Sequence, residues 1–400
     1  MSLKRLSRNF FASVAVASVA LAFPVSSFAA DDIIIGHVAA ATGELAPYDS
    51  VTGVQCMVDI VNDKGGVLGG RKLKLLSRDM KSDAALAGTA AQELIDAGAK
   101  VLFGPPTDDG LIPAGQMALP HSIPVISVGS TQVQWPAAIP GIAYLTAYGD
   151  NASAAAAAQF AVKQGYKTAL LMISHDIGSY SIATPRFFGE TFEHLGGKVV
   201  GELNWNWGTS DYSPQITEIA AMNPRPDMIF SAFVMPDGGA FMRQAQAAGL
   251  DIPVFGTDTF DDPAMLTAAG AGGALMNFGS HGFPSEGSAL KAFYDECSAR
   301  GFKIENVFFG LGGEAVEIVR QAIETAGSDD PAKINEAISN IEDMKGITAN
   351  SITFKGREGV PLKDIVIIQA KDGKFELADR ILPDWVPEGN STWKPANAAE

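Results

Sequence analysis

The chain has 400 residues, with 29 basic and 45 acidic side chains and a formal net charge of −16 at pH 7. So large an excess of negative charge argues against a nucleic-acid partner and against docking on anionic lipid, because both surfaces would repel it. The length exceeds what one hydrophobic core usually holds, so we expect two lobes.

Residues 1–29 have the pattern of a secretory signal peptide. Three basic residues precede an apolar run over residues 10–25, and Ser27 and Ala29 stand at the −3 and −1 positions of a cleavage site. The apolar run is shorter than a typical membrane-spanning helix. We therefore predict export to the periplasm, with no stable membrane insertion of the mature protein.

After this leader, apolar segments of strand length alternate with amphipathic segments of helix length. Such alternation is typical of parallel sheets covered by helices on both faces. In open sheets of this kind, ligands bind in the loops at the carboxyl ends of the strands. The predicted strands are residues 33–38, 73–76, 100–103, 124–128, 168–173, 198–203, 228–234, 253–256 and 274–278. The predicted helices are residues 50–64, 84–97, 151–164, 185–195, 238–248, 289–301 and 312–327.

The last part of the chain has a different pattern. Segments 365–370 and 374–378 flank the pair Asp372-Gly373, which predicts a β-hairpin. Residues 387–400 are rich in Pro, Asn, Ala and Gly and offer little to bury, so we expect a flexible tail there.

Cys56 and Cys297 are the only cysteines. Export would expose them to an oxidising compartment, where a disulfide can form. They are far apart in sequence, however, and Cys56 falls on the apolar face of a predicted helix, so we favour two buried thiols over a disulfide. No Cys/His spacing typical of zinc is present, and we predict no metal and no cofactor.

Several short motifs follow one another along the chain after the predicted signal peptide. Gly43-Glu44-Leu45-Ala46-Pro47-Tyr48 follows the first predicted strand, and DIVNDKGGVLGGRK occupies residues 59–72. Later motifs are Phe103-Gly104-Pro105, Ser130-Thr131, Thr209-Ser210-Asp211-Tyr212-Ser213 and Gly256-Thr257-Asp258. In their number, order and spacing, these motifs resemble those of the leucine–isoleucine–valine-binding protein family of periplasmic receptors, over residues 33–382.

This resemblance implies the type I periplasmic-binding-protein fold, an α/β fold with two doubly wound parallel-sheet lobes joined by a three-segment hinge. The expected lobes are residues 31–149 with 280–356, and residues 150–279 with 357–386. The expected crossings lie near residues 148–150, 278–280 and 355–361. Glycines in these segments are typical of hinges, which absorb backbone rotation, although ordinary loops are the alternative interpretation.

The resemblance also implies ligand-binding positions in the first lobe. Tyr48 stands where the family places an aromatic residue over the ligand, and a surface tyrosine is the alternative. Gly129, Ser130 and Thr131 stand where the family uses a backbone group and a hydroxyl to bind a carboxylate or another polar head group. A turn closed by a serine side chain is the alternative for this segment.

Asp108 departs from the family pattern. It stands where amino-acid binders commonly use a hydroxyl residue to hold the carboxylate of the ligand. An ionised Asp would repel that carboxylate in a closed cleft. A shift of one residue would place the hydroxyl of Thr107 there instead, and Asp109 would suit the cap of the next helix. Contact between Asp108 and a ligand stays an open question at this point.

The second lobe supplies further candidates. Tyr180 matches a family tyrosine that reaches the ligand when the lobes close. Asp258 stands where the family pairs an acid with the ammonium group of the ligand, and a helix cap is the alternative. Trp205 and Trp207 alternate at the end of a predicted strand and would point the same way, either into the cleft or over the sheet edge. Met235 is a possible apolar wall residue.

The sequence therefore predicts an extracytoplasmic substrate-binding protein of an ABC uptake transporter. It would be a monomer that closes two lobes on a small polar ligand, with permease and ATPase subunits as partners. The ligand is expected to be an amino acid or a related amide or amine, and the two carboxylates favour a compound other than a simple branched-chain amino acid. The alternative is a soluble ligand-sensing receptor module of the same fold, for amide- or aromatic-type metabolites. We predict no enzyme activity, because the sequence has no phosphate-binding loop and no nucleophile elbow.

Overall fold

The computed structural model describes residue 1, residues 31–396 and residue 398, so the predicted signal peptide lies outside the described residues except for Met1. Within this part of the chain the strands are β1 (Ile33–Ala39), β2 (Leu73–Asp79), β3 (Val101–Gly104), β4 (Val125–Ser127), β5 (Ala143–Leu145), β6 (Thr168–Ile173), β7 (Lys198–Asn204), β8 (Met228–Ser231), β9 (Val254–Gly256), β10 (Met276–Ser280), β11 (Ile365–Lys371) and β12 (Lys374–Ile381).

Helices lie between most of these strands. They are α1 (Val51–Asp63), α2 (Ala84–Asp96), α3 (Asp108–Ala118), α4 (Gln134–Ala138), α5 (Asp150–Lys163), α6 (Gly178–His194), α7 (Ser213–Ala221), α8 (Asp237–Ala247), α9 (Pro263–Ala269), α10 (Ala289–Ala299), α11 (Val307–Ala326) and α12 (Pro331–Ser339). Short 3-10 turns occupy Ala46–Tyr48, Leu119–His121, Asp258–Phe260 and Gly270–Leu275.

The first sheet is parallel throughout and has the strand order β2-β1-β3-β4-β5. Successive side chains of a strand point to opposite faces of the sheet. Ile33 and Ile35 of β1 and Phe103 of β3 accordingly join one core, whereas Val38 and Leu102 join another. The sheet is thus buried on both faces over β1, β3, β4 and β5, which explains why these strands are mostly apolar, whereas the edge strand β2 is partly exposed and carries charged residues at Lys74, Arg78 and Asp79.

The second sheet has the order β7-β6-β8-β9-β10-β11-β12. Its strands from β7 to β10 are parallel, and β11 and β12 add an antiparallel hairpin at the β10 edge. Asp372 and Gly373 connect the hairpin with φ values of 50° and 73°, as a two-residue turn of the I′ type requires. The predicted hairpin is confirmed.

The chain passes between the two sheets three times. The passages run from β5 to α5, from β10 to α10 and from α12 to β11. After the second passage, α10, α11 and α12 return to the first sheet, where α11 packs against α1. The limits of the lobes residue by residue stay a prediction.

A disulfide joins Cys56 of α1 to Cys297 of α10. The expectation of two buried thiols is therefore wrong. The two residues are 241 positions apart in sequence, but the return of α10 to the first sheet brings their Cα atoms to 6.0 Å. The disulfide thus ties the beginning of the first lobe to the segment that comes back to it.

The C-terminal segment is anchored over its described residues rather than loose. Asn151 Nδ2 of α5 donates to the carbonyl of Pro387 at 2.9 Å, and Ser391 Oγ donates to Glu190 Oε2 of α6 at 2.6 Å. Trp393 packs against the core that α5 and α6 cover. The expected flexible tail at 387–400 is therefore wrong for residues 387–396, because an aromatic side chain near the end does have apolar surface to bury.

Candidate functional site

A cavity of about 530 Å³ lies where the carboxyl ends of the strands of the two sheets face each other. Loops after β1, β2, β3 and β4 form one wall, and loops after β6, β7, β8 and β9 form the other. This is the position expected for a ligand in open parallel sheets. The predicted residues that line the cavity are Tyr48, Asp108, Gly129, Ser130, Thr131, Tyr180, Trp207 and Asp258.

Trp205 does not line the cavity. β7 ends at Asn204, so the alternation expected for Trp205 and Trp207 does not continue beyond the strand. Trp205 is buried in the core of the second lobe, where its ring centroid lies 4.7 Å from that of Phe233. The prediction of Trp205 as a cleft residue is wrong, and Trp207 alone of the pair reaches the cavity.

The apolar wall expected here at Val234 and Met235 is formed by Val234, whereas Met235 itself does not line the cavity. The backbone N–H of Met235 instead donates to Tyr48 Oη at 3.3 Å. Tyr48 ends the 3-10 turn Ala46–Tyr48, and its ring packs edge-on against that of Phe308, with the ring centroids 5.5 Å apart. Burial raises the pKa of Tyr48 to about 12, so its hydroxyl stays protonated. This tyrosine links the two walls directly.

Asp108 is the first residue of α3. Thr107 occupies the cap position without a side-chain bond, so Asp109, inside the first turn, is not the cap. Asp108 is 8 % exposed, and its Oδ1 accepts a hydrogen bond from Ser130 Oγ at 3.2 Å. Burial raises the pKa of Asp108 from 3.8 to about 7, a rise to which the charge of Asp109 adds and which the bond from Ser130 opposes.

The loop after β4 begins with Gly129, whose φ of 144° favours glycine and whose Cβ, if added, would lie 3.1 Å from the Pro106 side chain. The next two hydroxyls are turned toward protein carboxylates. Ser130 donates to Asp108, as described, and Thr131 Oγ1 donates to Asp150 Oδ1 at 2.5 Å. Burial raises the pKa of Asp150 well above its usual value.

The second wall has a chain of polar contacts centred on Asp258. Tyr180 Oη donates to Asp258 Oδ1 at 3.2 Å and lies 2.5 Å from the hydroxyl of Thr257. His281 Nε2 donates to Asp258 Oδ2 at 2.9 Å, and its ring stacks on Tyr148 with centroids 4.2 Å apart. Burial lowers the pKa of His281, so the imidazole is neutral at pH 7.

Sequence reasoning missed three residues that position these groups. Asp150 and His281 stand directly at two of the passages between the sheets, and Gln132 Nε2 donates to Ser179 Oγ of the opposite wall at 2.6 Å. The predicted crossings near residues 148–150 and 278–280 could have pointed to the first two. In this fold the passages lie beside the cleft, so polar residues there are candidates for its walls.

The cavity wall is acidic and aromatic. Among the described residues no Lys or Arg lines it. The acidic lining residues are Glu44, Asp108, Asp109, Asp176 and Asp258. The aromatic ones are Tyr48, Tyr180, Trp207 and Phe308. A wall of this kind offers carboxyl acceptors and ring faces to a ligand.

Comparison with known proteins gives a consistent result. A family model described as "Periplasmic binding protein" matches residues 32–374. A leucine-, isoleucine-, valine-, threonine- and alanine-binding protein of Pseudomonas aeruginosa is 25% identical over 338 residues, covering 84% of this chain and 88% of its own. The Leu/Ile/Val-binding protein BraC3 of Rhizobium johnstonii is 27% identical over 337 residues, covering 83% and 88%.

Solved structures share the fold over nearly the whole chain. A leucine-binding protein LivK of Thermotoga maritima superposes with a TM-score of 0.77 at 25% identity, covering 88% of this chain and 99% of its own. A solute-binding protein of R. palustris, solved with benzoate, gives 0.75 at 20% identity, covering 90% and 98%. The two-lobed α/β fold predicted from the sequence is thereby confirmed. In the part of the chain that the structure describes, no helix has the length and apolar character needed to cross a bilayer.

Proposed function

This chain belongs to the periplasmic binding protein family, and on that premise we propose that it is the extracytoplasmic substrate-binding protein of an ABC uptake transporter. It binds a small polar ligand, an amino acid or a related amide or amine, in the cavity between its two sheets. The observation that carries the proposal is this cavity, whose walls come from strand ends of both sheets. A permease and ATPase subunits would receive the ligand from a monomeric, periplasmic protein released from its signal peptide.

Each wall residue has a role in this proposal. Tyr48 and Tyr180 cover the ligand from opposite walls with their rings, which bring contact area at low entropy cost. Gly129, Ser130 and Thr131 form the polar end of the cavity. Asp258 accepts hydrogen bonds from an ammonium or amide group of the ligand.

Closure of the lobes would control access to the ligand. Two hydrogen bonds already join the walls, one from Gln132 Nε2 to Ser179 Oγ and one from Met235 N to Tyr48 Oη. We expect the three passages between the sheets to act as the hinge, since hinges are a few loop residues that absorb backbone rotation. Opening would break both bonds and expose the acidic wall.

Binding without turnover is the expected activity. The relatives and solved structures described above are binding proteins rather than enzymes. Asp108 and Asp258 would therefore hold the ligand and transfer no proton to it. The ligand should leave the protein chemically unchanged.

Calorimetric titration of the purified mature chain tests this function. We expect one ligand per chain, a smaller radius of gyration in solution scattering on binding, and recovery of intact ligand by mass spectrometry. A ligand at about 100 times its Kd should also raise the free energy of unfolding by about 2.7 kcal/mol. Conversion of the ligand, or saturable binding with two or more sites per chain, would contradict the proposal.

A further inference from the structure

At the polar end of the cavity, hydroxyl groups donate their hydrogen bonds to other residues of the protein. A hydroxyl group carries one proton to donate. Ser130 Oγ donates that proton to Asp108, and Thr131 Oγ1 donates to Asp150. Tyr180 Oη does the same toward Asp258 on the opposite wall. What these three groups still offer to a ligand is lone pairs.

Some backbone N–H groups of the same loops also donate within the protein. The N–H of Ser130 donates to Ser127 Oγ at 3.0 Å, and the N–H of Gln132 donates to Ser130 Oγ at 3.2 Å. The N–H of Asp108 donates to the Gln132 side-chain carbonyl at 3.2 Å. Within the part of the chain that the structure describes, the N–H groups of Gly129 and Thr131 have no partner among these bonds, so an entering carboxylate would find those two donors but no free hydroxyl proton from Ser130 or Thr131.

The buried carboxylates around this end have no cationic partner within the protein. Asp108, Asp150 and Asp258 are 8 %, 3 % and 3 % exposed. Among the described residues, neither Asp108 nor Asp150 forms an ion pair, and Asp258 pairs with His281, which burial keeps neutral. Buried charge is ordinarily paired, because leaving it unpaired is costly. Burial accordingly raises the pKa of Asp150 well above its usual value and that of Asp108 to about 7. At a pH above 7, where Asp108 is ionised, it would repel a carboxylate brought by a ligand.

Aromatic rings complete the surroundings. Tyr48, Tyr180, Trp207 and Phe308 line the cavity near these acids. The face of an aromatic ring attracts a cation by its quadrupole. An N–H donor with a positive charge therefore matches both the acceptors and the rings, whereas a neutral amide would match the acceptors alone.

We propose that the ligand is a carboxylate-free organic cation, a primary amine or a guanidinium, whose charged nitrogen lies between Asp108 of one wall and Asp258 of the other. This inference rests on the proposed function, since it names the ligand class of the same cavity. In this proposal, Asp108 determines which charged head groups of a ligand the cavity accepts. Asp108 attracts a cation and turns away the carboxylate of an ordinary amino acid.

A series of four compounds with the same apolar part separates the head groups. Leucine carries an ammonium and a carboxylate, leucinamide and 3-methylbutylamine keep the ammonium without the carboxylate, and 4-methylpentanoate keeps only the carboxylate. Agmatine adds a guanidinium. In calorimetric titrations at pH 8 we expect 3-methylbutylamine and agmatine, which are fully protonated there, to bind at least about tenfold more tightly than leucine, since they keep the charged donor that leucine also has and avoid its like-charge contact. Leucinamide, whose α-amine is about half protonated at this pH, should fall between them. We expect no binding of 4-methylpentanoate.

The outcomes distinguish the two proposals. Tighter binding of leucine or 4-methylpentanoate than of the amines would overturn the cation inference and leave the proposed function standing. Failure of all five compounds to bind would overturn the cation inference, because three of them carry the proposed head group, and would leave the proposed function standing, because that function also admits other amino acids and amides.

Variants test the residue assigned to selectivity. Asp108→Asn keeps the acceptor for Ser130 and should lower the affinity for the preferred amine by about 10- to 100-fold. Asp108→Ser should lose the amine and gain affinity for leucine. Asp251→Asn is the matched control, since Asp251 is exposed before β9, away from the cavity, and should change the affinity less than about twofold. Equal amine affinity in wild type and Asp108→Asn, with both folded by circular dichroism, would overturn the assignment.

Discussion

The buried polar side chains at the passage from α12 to β11 differ from those at the cavity in whether each charged group has a partner of opposite charge. At the passage from α12 to β11, Lys363 and Glu314 are both fully buried, and Lys363 Nζ donates to Glu314 Oε1, to the Thr348 hydroxyl and to the carbonyl of Thr146. Glu314 accepts further bonds from the backbone of Ile347 and Thr348. Every charge in that group has its partner. The carboxylates at the cavity have hydrogen bonds but no cation.

The difference shows how a buried charge can be interpreted. Lys363 joins the first passage to the third through Thr146, so a complete group of this kind holds the crossing segments together. The carboxyl groups of Asp108 and Asp150 have no cationic partner among the described residues; Asp108 lines the cavity, and Asp150 bonds the lining residue Thr131. A buried charge whose partner is another residue of the protein has a structural role. At the cavity, where no described residue supplies a cation, we expect the ligand to be the partner. Four predictions test that distinction, from the largest effect to the smallest.

Removing Lys363, the cation of the buried Lys363–Glu314 pair, should cause the largest loss of stability. Lys363→Met leaves Glu314 buried without its partner, which should lower the free energy of unfolding by about 3–5 kcal/mol. Chemical denaturation of the variant measures this loss. Lys374→Met, at an exposed position of the hairpin, is the control and should cost less than about 0.5 kcal/mol. Similar losses for the two variants would mean that the buried pair contributes little.

The disulfide should likewise matter for stability and not for ligand binding. Replacing Cys56 and Cys297 together by Ser removes a link across 241 residues and should lower the free energy of unfolding by about 2–4 kcal/mol. Ligand affinity should stay within about twofold, because neither residue lines the cavity. A reductant should lower the melting temperature of the wild type and leave that of the double variant unchanged. A large loss of affinity would break the separation between structural and binding elements.

The buried carboxyl group of Asp108, which has no cationic partner among the described residues, should make the ligand-free protein less stable as pH rises. The folded pKa of Asp108 is about 7, above its usual 3.8. Between these pH values the folded state holds the proton more tightly than the unfolded state, so the free energy of unfolding falls as pH rises. The groups facing Asp108 are Ser130, Gln132, Asp109 and, at longer range, Asp150.

Asp108→Asn should therefore be more stable than the wild type at pH 8, by roughly 1–3 kcal/mol. At pH 4 the two proteins should differ little. Chemical denaturation across the pH range measures both values. A variant that is less stable than the wild type at pH 8 would show that Asp108 is compensated within the protein.

The smallest effect is expected at the contact between the walls. Tyr48→Phe keeps the ring and removes the hydroxyl that accepts from Met235 N, so only the closed form should lose a hydrogen bond. At about 0.5–1.5 kcal/mol for the bond, ligand affinity should fall by about 2- to 10-fold with little change in the stability of the open form. Calorimetry on the variant checks this. An unchanged affinity would show that the contact does not contribute to closure.

Local pattern predicted most strands and the loops that form the cavity. The family resemblance singled out Tyr48, Asp108 and Ser130, and each lies in a loop after a parallel strand, where the strand ends meet at one edge of the sheet. β5 was not predicted, since Ala143–Leu145 is too short for its period to show. The partners of the site were also missed, because His281 meets Asp258 only through the second passage between the sheets.

The errors share a cause in long-range packing. Strand alternation placed Trp205 on the same side as Trp207, in the cleft or over the sheet edge, but the strand ends one residue before Trp205. Cys56 and Cys297 approach each other only because α10 returns to the first sheet. Residues 387–396 are held by contacts with helices more than 190 positions earlier, which composition alone does not reveal.

Titration of wild-type protein with 3-methylbutylamine at pH 6 and pH 8 tests the account most directly. The amine stays protonated at both values, whereas Asp108, with a pKa of about 7, loses most of its charge at pH 6. The predicted result is an affinity about tenfold higher at pH 8 than at pH 6, with that dependence abolished in Asp108→Asn. An affinity that is equal at the two pH values, or higher at pH 6, would contradict the claim that this carboxylate is the counter-ion of the ligand.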